Sequence, residues 1–187
     1  MIEDAQIKLC FEDGIGMSVC CKRLIYWLLL TTTTVGGGIT ADLILKTGPF
    51  PIFVRALGLI GMISAHFPLK RSGRVLRLLG EPKGWGCTSR LVTTDIYRCV
   101  RHPHHLGIGI FMTSLGLAIG HPCSFLIITL SQWAWVIWFL FTIEERELRE
   151  KFGEEYEAYS REVPMLLPKL SCVFKLLFGK RSSVGDD

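Results

Sequence analysis

Polar and apolar positions along this chain fall into blocks. Positions 102 to 143 form a run of 42 residues without a single Asp, Glu, Lys or Arg. A helix rises about 1.5 Å per residue, so about 20 apolar residues cross a hydrocarbon layer about 30 Å thick, and the run predicts two crossings. His121-Pro122 marks the turn between them, because Pro lacks the backbone donor that a helix interior needs. Upstream, Leu24 to Ala41 is 18 residues without charge, and Phe50 to Leu69 is a 20-residue apolar stretch interrupted by Arg55 alone. After the last span, Leu148, Phe152, Tyr156 and Tyr159 recur at helical spacing as an amphipathic stripe. The pattern predicts an all-α, polytopic membrane helical bundle of about four transmembrane helices with a cytoplasmic C-terminal amphipathic helix.

Composition changes this picture little; the placement of charge refines it. The 187 residues, 49% hydrophobic and 20% charged, fit one bundle and leave no room for a separate large domain. Lys8, Lys22 and Arg23 precede the first span. Lys70, Arg71, Arg74, Arg77, Lys83, Arg90, Arg98 and Arg101 lie between the second and third, and basic residues resume at Arg146. By the positive-inside rule both termini and the middle loop face the cytoplasm. The net charge of +4 therefore reads as topology and attraction to membrane lipids, and no nucleic-acid partner is expected. A cleaved secretory signal at Leu24 to Ala41 fits poorly, since further spans follow and no clear cleavage site does. Seven cysteines, without a CxxC pair, read as reduced thiols and small apolar fillers, with Cys20-Cys21 open to acylation. Small residues at Gly61, Ala65, Gly116 and Gly120 suit close helix packing, and Arg55 is placed to snorkel or to pair with Asp42.

Chemistry is expected where polar residues meet the spans on the cytoplasmic side. One such place is the approach to the third span, where Tyr97 and Arg101-His102-Pro103-His104-His105 crowd a membrane edge. Pro103 disfavours helix in the residue before it. The three histidines are too closely spaced to share one helix face and have no HExxH or paired Cys, so no metal site is expected. The other place is the exit of the fourth span, where Glu144-Glu145 precede the amphipathic stripe. Carboxylates so near an apolar face are unfavourable unless paired or bound to a cation, which makes them functional candidates; the simpler reading is a helix start complementing its dipole.

These residues carry a resemblance. Leu91-Val92-Thr93, Tyr97, Arg101-His102-Pro103 and Gly107 are followed, after two apolar spans, by Glu144-Glu145-x-x-Leu148. Phe152-Gly153-x-x-Tyr156-x-x-Tyr159 and Val163-Pro164-x-x-x-Pro168 complete the set. Over about residues 74 to 168 the order resembles the integral-membrane isoprenylcysteine carboxyl methyltransferases and the related phospholipid methyltransferases. The departures are His105, where the family commonly has Tyr, and Met165, where it commonly has Arg.

The resemblance implies a cytoplasm-facing pocket for S-adenosylmethionine made without a Rossmann domain. It implies a boundary between residues 1–69, an arm with the first two spans, and residues 70–187, the methyltransferase core. Carried onto this chain, Arg101 and Glu145 are catalytic, and Tyr97, His102, Pro103, His105, Gly107 and Glu144 bind the cofactor. The acceptor would be a lipophilic small molecule or a lipidated protein. A carboxylate acceptor needs orientation by the Arg101 fork and no base; an amine or thiol would use Glu145 or a histidine. Two alternatives remain at this stage: a sterol-type reductase using NADPH, which shares the Arg-His-Pro pattern, and a catalytically silent membrane scaffold.

Overall fold

The computed structural model describes residues 19–84, 87–168 and 172. Helices α1 (Val19–Leu45) and α2 (Ile52–Leu79) precede a two-stranded antiparallel hairpin, β1 (Pro82–Gly84) and β2 (Cys87–Thr88). A 3₁₀ turn (Asp95–Arg98) leads to α3 (Pro103–Ile119) and α4 (Pro122–Phe139), and a π-helical turn (Leu140–Glu144) joins α4 to α5 (Glu145–Glu162). Three stretches are long and apolar enough to cross a membrane: Lys22–Leu45, Ile52–Leu79 and the continuous Pro122–Glu162. The fourth crossing expected from the polarity pattern is the shorter apolar helix α3, whose 17 residues span about 25 Å. The protein is an all-α membrane bundle; the tiny β hairpin is an addition that the polarity pattern did not anticipate.

The bundle is built from pairs. α1 packs on α4, α2 on α3, and α3 on α4. Close approach of α2 to α3 depends on Gly58, where a Cβ would stand 2.5 Å from the Ala118 nitrogen. Polar side chains cross the helix pairs inside the apolar layer: Gln132 Nε2 donates to Thr31 Oγ1 at 3.2 Å, and Trp133 Nε1 to Thr113 Oγ1 at 3.0 Å. Ile108, Met112 and Ile128 form the central core, bordered by Trp27, Val35 and Leu69. Outward, Leu43, Ile44, Ile52, Phe53, Leu57, Leu130 and Phe141 are exposed, a surface that matches lipid and not water.

The α3–α4 hairpin turns where His121-Pro122 predicts. Gly120 ends α3 in the left-handed region (φ 83°), His121 is extended, and Pro122 opens α4 at a position that needs no donor. Asp42 does not pair with Arg55 as the sequence suggested. Its carboxylate instead caps α4 from α1, accepting from the backbone nitrogens of Cys123 (2.9 Å) and Ser124 (2.8 Å) and from the hydroxyls of Ser124 and Thr47 (both 2.5 Å). Arg55 lies against Gly120.

α2 runs unbroken through buried Pro68 to Leu79, past the end of the apolar stretch, and so carries Arg71 and Arg77 beyond it. Arg71 grips Asp95 through Nε (2.8 Å) and Nη2 (2.6 Å), which fixes the 3₁₀ turn against α2 above a cluster of Val75, Val92, Ile96 and Tyr97. The expectation of reduced thiols is corrected at one pair: Cys99 and Cys172 form a disulfide that ties the tail to this loop. The rest of the tail beyond 168, expected to be an interfacial amphipathic segment, lies outside the described residues, as does the N-terminal arm before 19.

Candidate functional site

The segment leading into α3 is held from three sides. Arg101 and His102 donate their backbone N–H groups to the carbonyls of Pro164 (2.9 Å) and Met165 (3.1 Å), and Tyr159 Oη donates to the Tyr97 carbonyl at 2.6 Å. The Val163-Pro164 and Tyr159 positions of the sequence pattern thus clasp the Arg-His-Pro positions. With Pro103 as the first residue of α3, His102 is kept non-helical (φ −120°, ψ 63°) and its ring turns inward, 3% exposed.

Opposite stand Glu144 and Glu145, consecutive residues that an ordinary helix would set about 100° apart. The π-helical turn ending at Glu144 inserts its extra residue where both must face the same neighbour. His102 lies between them: Nε2 is 2.8 Å from Glu145 Oε1 and Nδ1 is 3.4 Å from Glu144 Oε1. Arg101 Nη1 donates to Glu145 Oε2 at 3.0 Å, and Tyr156 Oη donates to Glu145 Oε1 at 2.7 Å. In a straight helix residues 145 and 156 would be about 16 Å apart along the axis, too far for that bond. Gly153 breaks the helix with φ 52°, ψ −128°, and the bend returns Tyr156 to Glu145.

Burial alone would discharge the His102 ring, but the two carboxylates on its two nitrogens outweigh it and raise its pKa to about 9. His102 is therefore an imidazolium in an ion network with Arg101, Glu144 and Glu145. Burial, with Glu144 nearby, pushes the Tyr97 phenol well above its ordinary range, so it stays a neutral hydroxyl. Glu145 has its oxygens committed to partners. Glu144 does not: its Oε2 is buried without a hydrogen bond, His105 Nε2 standing 3.4 Å away, and Arg101 Nε is likewise buried and unbonded.

These groups border a cavity of about 290 Å³. Of the residues expected at the site, Tyr97, Arg101, His102, Pro103, His105 and Glu144 line it. Glu145 sits behind Arg101 and His102 as their common partner. Gly107 is placed elsewhere, on the α2–α3 contact, where a Cβ would meet Leu69 Cγ at 2.8 Å. The same cavity is lined by Arg23, Arg77, Arg90 and Phe139, which sequence reasoning used only for topology or hydrophobicity. Their positions alone gave no sign of it: Arg23 and Phe139 meet through the contact of α1 with α4, and Arg77 and Arg90 arrive from the end of α2 and the loop after β2.

His102, His105 and Glu144 also bring ligand atoms within 4.8 Å of one another, a gathering that the histidine spacing had not suggested. To join a metal, His102 would have to give up a proton and one of its two carboxylate pairs.

Comparison with known proteins gives the chain a family. The family model described as phospholipid methyltransferase matches residues 50–155. A protein-S-isoprenylcysteine O-methyltransferase of Schizosaccharomyces pombe is 37% identical over 82 residues, covering 42% of this chain and 33% of the relative. Methanethiol S-methyltransferase 2 of Bradyrhizobium diazoefficiens is 38% identical over 79 residues, 42% and 29% respectively. A probable protein-S-isoprenylcysteine O-methyltransferase of Oryza sativa subsp. indica is 35% identical over 83 residues, 42% and 41%. The alignments thus span less than half the length of these relatives.

Proposed function

The chain belongs to the phospholipid methyltransferase family, and we propose that it is an S-adenosylmethionine-dependent methyltransferase acting on a lipophilic acceptor, with carboxyl O-methylation as its reaction. The observation that carries this reading is the meeting of Arg101-His102-Pro103 with Glu144 at one cavity, with Glu145 behind them and a buried Glu144 oxygen that accepts no hydrogen bond. That oxygen suits a positively charged ligand. The volume is near the lower end of small-molecule sites, roughly 300–1,000 Å³, and the lining mixes rings with a few polar groups in the usual way.

When bound, S-adenosylmethionine supplies an electrophilic methyl group on a sulfonium. Glu144, with His105 beside it, would hold the cationic part, and Tyr97, His102 and Phe152 border the remainder of the cavity. Arg101 would orient an acceptor carboxylate with the face of its guanidinium not given to Glu145. Glu145 acts here through its partners: it fixes Arg101 and His102 and stands behind the cavity wall. A carboxylate acceptor needs no proton removed, so this reaction asks of His102 only its pairing with the two glutamates. Two reactants held at short range would make up most of the catalysis. The basic residues at this end, Arg71, Arg74, Arg77, Arg90 and Arg98, support a cytoplasmic orientation of the site.

The test is direct. Purified full-length protein in detergent should bind S-adenosylhomocysteine by calorimetry and transfer a labelled methyl to a prenylcysteine analogue. Folded protein that binds no S-adenosylhomocysteine, or that binds NADPH in its place, would overturn the reading; transfer to a thiol and not to a carboxylate would overturn the choice of acceptor.

A further inference from the structure

The family match begins at residue 50, so it leaves out α1. One side chain of α1 nevertheless reaches the cavity. Arg23, at the basic entrance of the first span, would satisfy the positive-inside rule by lying in water among headgroups. It does not; its side chain is 18% exposed and aimed inward. The guanidinium carbon lies 5.4 Å from the centroid of the Phe139 ring, and Nη2 is paired with Glu147 on α5.

Phe139 is itself part of a stack. Its ring lies 5.6 Å from His105 at an interplanar angle of 30°, and on the same ring system Trp135 follows at 6.3 Å and 23°. His105 Nε2 in turn stands 3.4 Å from the open Glu144 oxygen. A continuous line of contacts therefore runs from α1 through Phe139 and His105 to the carboxylate that faces the cavity.

Resting on the methyltransferase reading, we propose that Arg23 is a positioning residue: by clamping Phe139 and Glu147 from α1 it fixes His105 against Glu144 and so shapes the donor-binding wall. Arginine suits this task where lysine does not, because a planar guanidinium can lie over a ring and donate to a carboxylate at the same time. The first span then belongs to the functional unit as well as to the anchor.

The experiment is a double-mutant cycle on the full-length protein, read by S-adenosylhomocysteine affinity. Arg23→Ala should raise Kd roughly tenfold, the size expected from losing one ring-stacked cation, with Arg23→Lys recovering only part. Phe139→Leu should cause a similar loss, and the double variant should be no worse than the more severe single, because both act through one stack. The acceptor KM should change less than the donor Kd. Additive losses, or an Arg23→Ala protein with unchanged donor affinity, overturn the inference. If Arg23→Ala does not fold, the cycle with Arg23→Lys and Phe139→Leu gives the same decision. Wild-type protein that binds no S-adenosylhomocysteine would overturn the functional reading itself. Unchanged affinity in Arg23→Ala beside lost affinity in Glu144→Gln would overturn the role of Arg23 alone.

Discussion

Each end of the bundle holds a buried carboxylate, and the two are used in opposite ways. Asp42, 6% exposed, is surrounded by neutral donors, two backbone N–H groups and two hydroxyls, all supplied by the α1–α4 junction it closes. Glu145, also 6% exposed, is surrounded by an imidazolium, a guanidinium and a phenol drawn from segments far apart in sequence, with a second carboxylate beside it. At the first end both Asp42 oxygens are satisfied by neutral donors. At the second, an oxygen of Glu144 and the Nε of Arg101 are buried without partners. Full satisfaction marks a joint; buried polar groups held open by a rigid frame mark a place for a ligand.

The comparison breaks most sharply with Glu145→Gln. That change leaves Arg101 and His102 facing a neutral amide in a buried network, and removing one partner of such a network is expected to destabilise by about 3–5 kcal/mol. Thermal unfolding in detergent should show a large drop in midpoint, and S-adenosylhomocysteine binding and methyl transfer should disappear together. A Glu145→Gln protein with wild-type stability and affinity would mean that the two ends do not differ in the way described.

Asp42→Asn is the matched perturbation at the other end. An amide placed among N–H and O–H donors loses acceptor capacity and turns a donor toward donors, at a cost of about 1–3 kcal/mol. The unfolding midpoint should fall while donor affinity at the remaining folded fraction stays as in the wild type. Loss of affinity at the Asp42 end would show the two carboxylates to be coupled through α1 and α4, not independent.

How much of this was legible in the sequence follows from the same contrast. The spans, the Pro122 turn and the α5 stripe are written as local patterns of polarity, and local patterns survive folding. The Arg101–Glu145 pairing was legible only through the ordered motif, since the two residues are 44 positions apart and nothing local links them. The Asp42 cap was misread, because the charge pattern offered Arg55 as a partner while the two backbone donors that make Asp42 a cap lie more than 80 positions away. Arg23 was read as a topology signal because its inward direction depends on how α1 lies against Phe139 and Glu147. Gly107 was carried over as a site residue on motif order, but a glycine at helix spacing serves packing as readily as binding, and here it faces Leu69.

Gly153 sharpens the comparison at a smaller scale. Its backbone at φ 52° lies where a Cβ is strained by about 1–2 kcal/mol, although the space around it is open. Gly153→Ala should therefore act through the bend: a straighter α5 withdraws Tyr156 from Glu145. The expected result is a modest fall in stability with a several-fold weaker donor affinity, and Tyr156→Phe should reproduce the affinity change without the backbone strain. If Tyr156→Phe binds the donor as tightly as wild type, the hydroxyl is not part of what holds Glu145 in place.

The mildest perturbation is pH. With its pKa raised to about 9 from an ordinary value near 6.5, His102 contributes stability that is complete below about pH 6.5, diminishes as pH rises, and is gone above about 9. The charged groups around it are Glu144, Glu145 and Arg101, with His105 6.0 Å away between ring centroids. The His102 ring is the group whose change this window follows. Unfolding midpoints should fall most steeply between about pH 7 and 8.5 and level off above about 9, donor affinity should fall as the folded ring loses its proton near 9, and His102→Gln should flatten that portion of both profiles. A neutral His102 leaves two adjacent carboxylates without the cation between them, which is a condition that the joint at Asp42, held by uncharged donors, never meets. A decline that persists unchanged in His102→Gln would assign the proton to another group and remove the imidazolium from the network.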